Sequence, residues 1–536
     1  MDFDVLIVGL GPVGAVAASL AGKWGLSALA VDKAEAVYDK PRAFGLDHEV
    51  MRTFANIGIA DAVAGNVMPY RTSEYQAKGG RVLKRIAPAS APYPLGWAPN
   101  YVFSQPAIEG ALRANLATLP GVQTELGTEV LSVAQDGDTC RALLRDRDGR
   151  ERHVSARYVL ACDGGTSPLR VQRGMPMEDL QFDEPWLVVD VMVTPEVAER
   201  LPATNIQFCE TERPCTYIIG PGLHRRWEFM INDDETPAGV QQPEAIAALL
   251  ARWMAPGEYE LWRASAYRFH ALILQTWRDR NLFFLGDAAH MTPPFMAQGM
   301  CQGIRDAANL VWKLALVRRG AAAPTLLDTY QAERVPHVRQ TTLVTRELGR
   351  VICERDPAKA AERDTRMLAE MAAQQAPTVR QSLIPGLSAG LLAPARDEHP
   401  DSARGHLFPQ PEVENSTGRQ GLLDEFTGNT FRLVAAPGAS VLPLREEIRS
   451  WDSLEALPLS VVALTDDADG KPQAWHAYRE RHGLLAGWLR GHGCQYVLVR
   501  PDHYVYGGAA NLAQALELLA ELRLTLNGVR SEAPVF

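Results

Sequence analysis

The first 32 residues restrict this chain more than any other stretch. Residues 3–9 read FDVLIVG, a short apolar strand, and Gly9-Leu10-Gly11-Pro12-Val13-Gly14 begins at its end. An Ala-rich helical run extends to about Trp24, and a second apolar strand, 28–31, stops at Asp32. In a strand–GxGxxG–helix–strand–acid unit the first Gly allows the tight turn. The second lets a pyrophosphate approach the backbone, and the third lets helix and strand pack closely. Asp32 can accept hydrogen bonds from a ribose hydroxyl. A bare GxGxxG occurs in ordinary Gly-rich turns. In this context it predicts a dinucleotide-binding βαβ unit, and therefore an α/β fold around a parallel sheet.

Two later segments carry related signals. Residues 158–170, YVLACDGGTSPLR, run a strand into Asp163-Gly164, a pair that on its own marks only a tight turn. Residues 281–314, NLFFLGDAAHMTPPFMAQGMCQGIRDAANLVWKL, run an apolar strand (282–285) into Gly286-Asp287. A Pro pair, a Gly-containing loop and an amphipathic helix from Gly303 onward follow. A strand end would place the Asp, and the loop amides and helix N-terminus would offer donors to an electron-rich ligand edge.

The chain has 536 residues, enough for about three domains. Its net charge of −10, without a long basic run, argues against a general nucleic-acid surface. The seven Cys (140, 162, 209, 215, 301, 353 and 494) form no C-x-x-C pair. That disfavours a disulfide framework or a zinc site, no metal is expected, and a reducing cytoplasm suits the pattern. The N-terminus reads as the first strand rather than a signal peptide, and no apolar run is long enough for a membrane helix.

Nucleotide-type signals at 9–32, 163 and 286–300 are separated by strand-rich segments. One cofactor domain is therefore expected from separated pieces: 1–72, 104–178 and 271–385. Residues 73–103 and 179–270 would form a strand-rich substrate domain over it. The stretch 384–404 reads as a linker, and 405–536 as a separate α/β unit.

With these three signals together, the chain resembles the single-component FAD-dependent aromatic hydroxylases, the family of para-hydroxybenzoate hydroxylase, over roughly residues 1–380. Gln207-Phe-Cys209-Glu-Thr-Glu-Arg213-Pro214, His224-Arg225-Arg226-Trp227-Glu228-Phe229 and Pro293-Pro294-Phe-Met-Ala297-Gln298-Gly299-Met300-Cys301 are similar to the 3-(3-hydroxyphenyl)propionate hydroxylase branch. The tail resembles the thioredoxin-like domain of many members. Its single Cys494 rules out dithiol chemistry by the tail alone, and the resemblance gives it a structural or homodimer-contact role.

The resemblance also implies residue roles. Gly9, Gly11 and Gly14 would cradle the FAD pyrophosphate. Asp32 would hold the adenosine ribose, where the family often has Glu, with Lys33 beside it. Arg42 and Gln105 would meet the pyrophosphate and ribityl region. Asp163 would serve FAD and, indirectly, the nicotinamide nucleotide. Asp287 would bind ribitol or pyrophosphate, and Gly299 and Met300 would offer amides to the flavin pyrimidine edge. Pro294 would line the ring face, and Ala297 departs from the branch's usual Gly.

The implied reaction is hydroxylation of a small phenol ortho or para to its hydroxyl, with FAD, NADH or NADPH, and O2, through a flavin C4a-hydroperoxide. A 3-(3-hydroxyphenyl)propionate-like acid is the expected substrate. Resorcinol-type phenols and larger polyketide phenols are alternatives. A non-catalytic FAD-bound assembly protein is a remote rival, and a flavin halogenase lacks its Trp-x-Trp-x-Ile-Pro segment here. No residue stands out as the one that activates the phenol. Pocket candidates are Tyr267, Cys209, Arg213 and Arg225, an Arg being able to pair with a substrate carboxylate. Alternation puts Tyr267 and Phe269 on one strand face and turns Arg268, a candidate for the nicotinamide nucleotide, to the other. His290 reads as a buried His bonded to backbone. Trp227, Trp262 and Trp277 read as core.

Overall fold

The computed structural model describes residues 1–373, 383–395, 403–449, 451, 457–465 and 477–528. Its first sheet runs in the order Arg278–Asp279, Leu282–Phe284, Glu151–Ala161, Phe3–Val8, Ala28–Asp32, Val122–Leu126. From Leu282–Phe284 to Val122–Leu126 the neighbours are parallel. Val5, Leu6, Ile7 and Leu29 have no exposed surface. The near-continuous apolar runs seen in the sequence are what a parallel sheet covered on both faces requires. The hairpins expected around 122–160 form from Glu129–Asp136, Thr139–Arg145 and Glu151–Ala161.

Helix Pro12–Lys23 packs beside helix Gly299–Arg318. Gly303 makes the approach possible, because a Cβ there would lie 2.5 Å from Val13 Cγ2 and 2.9 Å from Gly286 Cα. The second helix begins at Gly299, four residues before the expected start. Gly299 and Met300 look like loop residues but form its first turn.

The second sheet is ordered His290–Met291, Tyr259–Leu274, Met177–Val193, His224–Met230, Cys215–Ile219, Asn205–Phe208, Ser73–Gln76, Val82–Ile86. One face packs Leu187, Val189, Trp227 and Phe229 into a separate core that includes Ile246 and Leu250 of helix Pro243–Leu250. The opposite face turns toward the first sheet. Strand Asn100–Phe103, expected with the substrate domain, pairs instead with Gly45–Asp47 and Val67–Pro69 in a small sheet.

The tail forms a seven-stranded sheet in which Phe431–Ala435, Leu459–Thr465 and Ala477–Glu480 are parallel. Tyr496–Val499 and Val505–Ala509 continue it antiparallel. The tail is less separate than its sequence suggests. It has a core of its own, but Phe431, Leu433 and Leu498 belong to the main core, and Phe431 meets Trp312 edge-on at 5.6 Å. Buried ion pairs reinforce the contact. Arg52 forks onto Asp424 at 2.6 and 2.9 Å, and Arg500 forks onto Glu333 at 3.0 and 2.7 Å.

Candidate active site

The loops after the parallel strands converge on a cavity of about 920 Å³, toward the upper end of the size range for cofactor and ligand pockets. Gly9, Gly11, Asp32, Lys33, Arg42, Gln105, Asp163, Asp287, Pro294, Gly299, Met300 and Tyr267 all line it. Gly9 has φ +97°, and a Cβ there would sit 2.4 Å from the Cys162 carbonyl oxygen. Gly14 lies outside the cavity, where a Cβ would collide with the Gly9 carbonyl oxygen at 1.9 Å. Its place is the close helix–turn contact behind the cradle. The Asp32 carboxylate accepts the Leu10 and Ala34 amides at 2.7 and 2.8 Å, so it also fixes the Gly-rich turn. Gln105 accepts the Ala43 amide at 2.5 Å and donates to Glu109 at 2.6 Å.

Several features fit a bound dinucleotide. A Cβ built on Gly11 or Gly299 meets no protein atom within 4 Å, so both glycines border space rather than packing. Asp163 Oδ1 is buried without a hydrogen-bond partner, and burial raises its carboxyl above the ordinary range. Burial raises the Asp287 carboxyl too, although its side chain is open to the cavity. Both acids await a donor. The N-terminus of helix Gly299–Arg318 adds its first amides, which have no partner within the helix. The loop before it is pinned at Ala297, a non-Gly residue with φ +55°. The Gly-Asp turn is held from behind by Asp306, which accepts the Gly286 amide at 3.0 Å, His290 Nε2 at 2.7 Å and Arg334 Nε at 2.8 Å. The partner of His290 is thus a carboxylate rather than backbone.

The second sheet supplies the facing wall. Gln207, Thr216, Glu228 and Val188 sit in register across four neighbouring strands, and all four line the cavity. Ile218, Arg226, Tyr267, Phe269 and Phe295 complete this side. Arg226 binds Asp190 through Nε and Nη2 at 2.8 and 2.9 Å and donates to the Arg42 carbonyl at 2.9 Å. His224 reaches the same Asp190 at 2.8 Å.

Four candidates stand elsewhere. Arg225, with Trp227 and Phe229, belongs to the opposite parity of its strand from Arg226 and Glu228, and donates to the Gly222 and His224 carbonyls. Arg213 forks onto Glu235 at 2.6 and 2.8 Å. Cys209 is buried outside the cavity, and burial pushes its thiol up to about 12. Arg268 is on the exposed side, paired with Asp183 at 3.1 Å. Among the described residues no cluster could hold a metal ion, and no helix is long and apolar enough to cross a membrane.

A dinucleotide cradle facing a second sheet across one cavity defines a dinucleotide-binding α/β protein with a separate substrate wall. A family model described as FAD binding domain matches residues 2–345, and one described as HcaD C-terminal domain matches 405–525. A probable NADH-specific resorcinol 4-hydroxylase of Rhodococcus jostii (strain RHA1) is 37% identical over 99% of this chain and 96% of its own. A 3-(3-hydroxy-phenyl)propionate/3-hydroxycinnamic acid hydroxylase of Comamonas testosteroni is 30% identical over 97% and 96%. Among solved structures, the flavin-dependent monooxygenase PieE, in complex with FAD and substrate, superposes with a TM-score of 0.80 at 22% identity, covering 99% of this chain and 100% of that one. The chain belongs to this FAD-binding family and is an FAD-dependent aromatic monooxygenase that consumes NADH or NADPH.

Proposed function

We propose that the substrate is a small uncharged phenol of the resorcinol type, hydroxylated at a ring carbon ortho or para to a hydroxyl, with NADH as reductant. The observation that carries this reading is the state of Arg226. Among the described residues that line the cavity it is the one cation supplied by the second sheet, and Asp190 already occupies it bidentately. A carboxylate-bearing substrate would find no unpaired second-sheet cation among the described lining residues; Arg263, nearby on strand Tyr259–Leu274, is outside the lining and donates to the Pro41 carbonyl. The R. jostii relative carries resorcinol and NADH specificity in its name. The phenolic-acid reading is supported by the similarity of residues 207–229 and 293–301 to that branch and by the C. testosteroni relative, whose name it matches.

When bound, FAD accepts hydride from the nicotinamide nucleotide and, with O2, supplies the oxygen atom. The protein's part is to bind, orient and keep water out. Gly11, Gly299 and Met300 would present backbone to the cofactor, while Asp32, Lys33, Arg42, Gln105, Asp163 and Asp287 would hold its polar length. Pro294, Phe295, Phe269 and Val188 form apolar walls suited to an aromatic ring. We place the protein in the cytoplasm as a homodimer, with the tail a thioredoxin-like domain lacking dithiol chemistry. The domain division at 72/73, 178/179 and 270/271 belongs to the same reading, with strand Asn100–Phe103 on the cofactor side.

The test is NADH oxidation and product formation across a phenol panel. Resorcinol should stimulate coupled turnover well above 3-(3-hydroxyphenyl)propionate. The reverse order would overturn the neutral-substrate reading, and no coupled turnover with any phenol would overturn the phenol-hydroxylase reading.

A further inference from the structure

The wall opposite the cofactor cradle contains a carboxylate with no structural employment. Glu228 lies midway along strand His224–Met230 and is only 5% exposed, yet no hydrogen bond reaches its carboxylate among the described residues. Its nearest cation is Arg226 Nη1 at 3.8 Å, and that guanidinium is engaged by Asp190 and the Arg42 carbonyl. Buried carboxylates normally have donors on them. One that lacks them and borders a cavity is placed to receive a donor from a ligand.

We propose that Glu228 is the catalytic base that takes the proton of the substrate's phenolic hydroxyl. This rests on the phenol-hydroxylase reading above and deepens it. In the step, the phenol O–H bond breaks, a Glu228 Oε–H bond forms, and the electron pair left on oxygen enriches the ring carbons ortho and para to it. Nothing is oxidised or reduced in this transfer. The proton leaves Glu228 for water after product release.

The register supplies the rest of the geometry. Two strands away in the same row, Gln207 accepts from Thr216 Oγ1 through Oε1 at 2.6 Å, which leaves its Nε2 as a donor on the cavity wall. An acceptor at Glu228 and a donor at Gln207, with the small Thr216 between them, match a ring carrying two oxygens. The electrostatics agree. Burial pushes the Glu228 carboxyl up to about 7, opposed by Arg226 and reinforced by Asp190. Its two flanking strand positions, Val188 and Thr216, are uncharged. The remaining titratable or charged groups on this side are His224, on Asp190, Tyr267 on the cavity wall, and Arg263, which lies opposite Asp190 on the neighbouring strand and over the Tyr267 ring. A base near 7 is matched to work at neutral pH, whereas an ordinary Glu would be too weak to draw a proton from a phenol of pKa about 10.

The experiment compares wild type, Glu228→Gln and Glu228→Asp as FAD-loaded enzymes with resorcinol, measuring coupled hydroxylation from pH 5.5 to 10 (a range of about 4.5 units that spans the Glu228 step and reaches the phenol's own pKa) and resorcinol binding at each pH. Wild-type kcat/KM should rise through about 7 as Glu228 loses its proton. Glu228→Gln should bind resorcinol but turn over roughly 10²–10⁴-fold more slowly at neutral pH. It should lack the step near 7 and recover as the pH approaches the phenol's own pKa. Glu228→Asp should retain the step with a reduced rate, which also covers a Gln variant that fails to load FAD. A Gln variant with near-wild-type rate, or any variant without the carboxylate that keeps the step, overturns the assignment. If only a carboxylated phenol is hydroxylated, the neutral-substrate reading falls, and the same pH comparison on that phenol decides Glu228.

Discussion

Asp287 shows how a single residue can be poor for the empty protein and good for the loaded one. Its carboxyl is shifted upward by the surrounding protein and faces the open cavity with no hydrogen-bond donor among the described residues, so it adds little to the stability of the empty protein. Asp287→Ala should therefore leave the melting temperature of the apoprotein unchanged or slightly higher. It should weaken FAD binding roughly ten- to a hundred-fold, the span of a hydrogen bond to a charged group. Isothermal titration with FAD and melts with and without it check both halves. An apoprotein that melts much lower would make Asp287 a structural residue instead. Glu228 follows the same sign. Its folded pKa lies above the ordinary 4.5, so the stability it removes grows as pH rises from there through about 7.

At the scale of elements, the helix pair Pro12–Lys23 and Gly299–Arg318 depends on the absence of a side chain at Gly303. Gly303→Ala should cost about 1–3 kcal/mol by overpacking against Val13 and the Gly286 turn, read as a lower denaturant midpoint. The cofactor half of this architecture was legible because its chemistry sits in contiguous motifs, each a strand, a turn and an acid within a few residues. The facing wall was not, because it is a row across four strands whose members, Gln207, Thr216, Glu228 and Val188, are joined only by register. One signal was present in HRRWEF. Trp227 and Phe229 claim one face for a core, which places His224, Arg226 and Glu228 together on the other and removes Arg225. The helix start at Gly299 was hidden because Gly and a preceding αL residue, Ala297, mimic loop. The tail's docking was hidden because its ion pairs link residues 167 and 372 positions apart.

Across the whole molecule, those ion pairs set the response to acid. Burial by itself would raise the Glu333 carboxyl, but Arg500 and Lys313 outweigh it and hold it at about 2. A carboxyl depressed by folding stabilises above its unfolded value, here 4.5, and that contribution disappears as pH falls from there toward 2. Denaturant midpoints should drop steeply over this window. Glu333→Gln should flatten the drop while losing about 3–5 kcal/mol at neutral pH, since Arg500 and Lys313 are left buried without their counter-charge. A second link runs from the tail to the cavity. Tyr504 donates to Glu49 at 3.1 Å, Glu49 and Gln298 both accept from Arg305, at 2.5 and 2.9 Å, and Gln298 directly precedes Gly299 in the cofactor loop. If this chain of contacts transmits free energy, the two ends obey reciprocity. FAD should slow amide exchange in strands Tyr496–Val499 and Val505–Ala509, and Tyr504→Phe should weaken FAD binding. Equal exchange with and without FAD would dismiss the coupling. Slower exchange with FAD would instead make the tail an allosteric clamp whose grip sets how long the flavin stays.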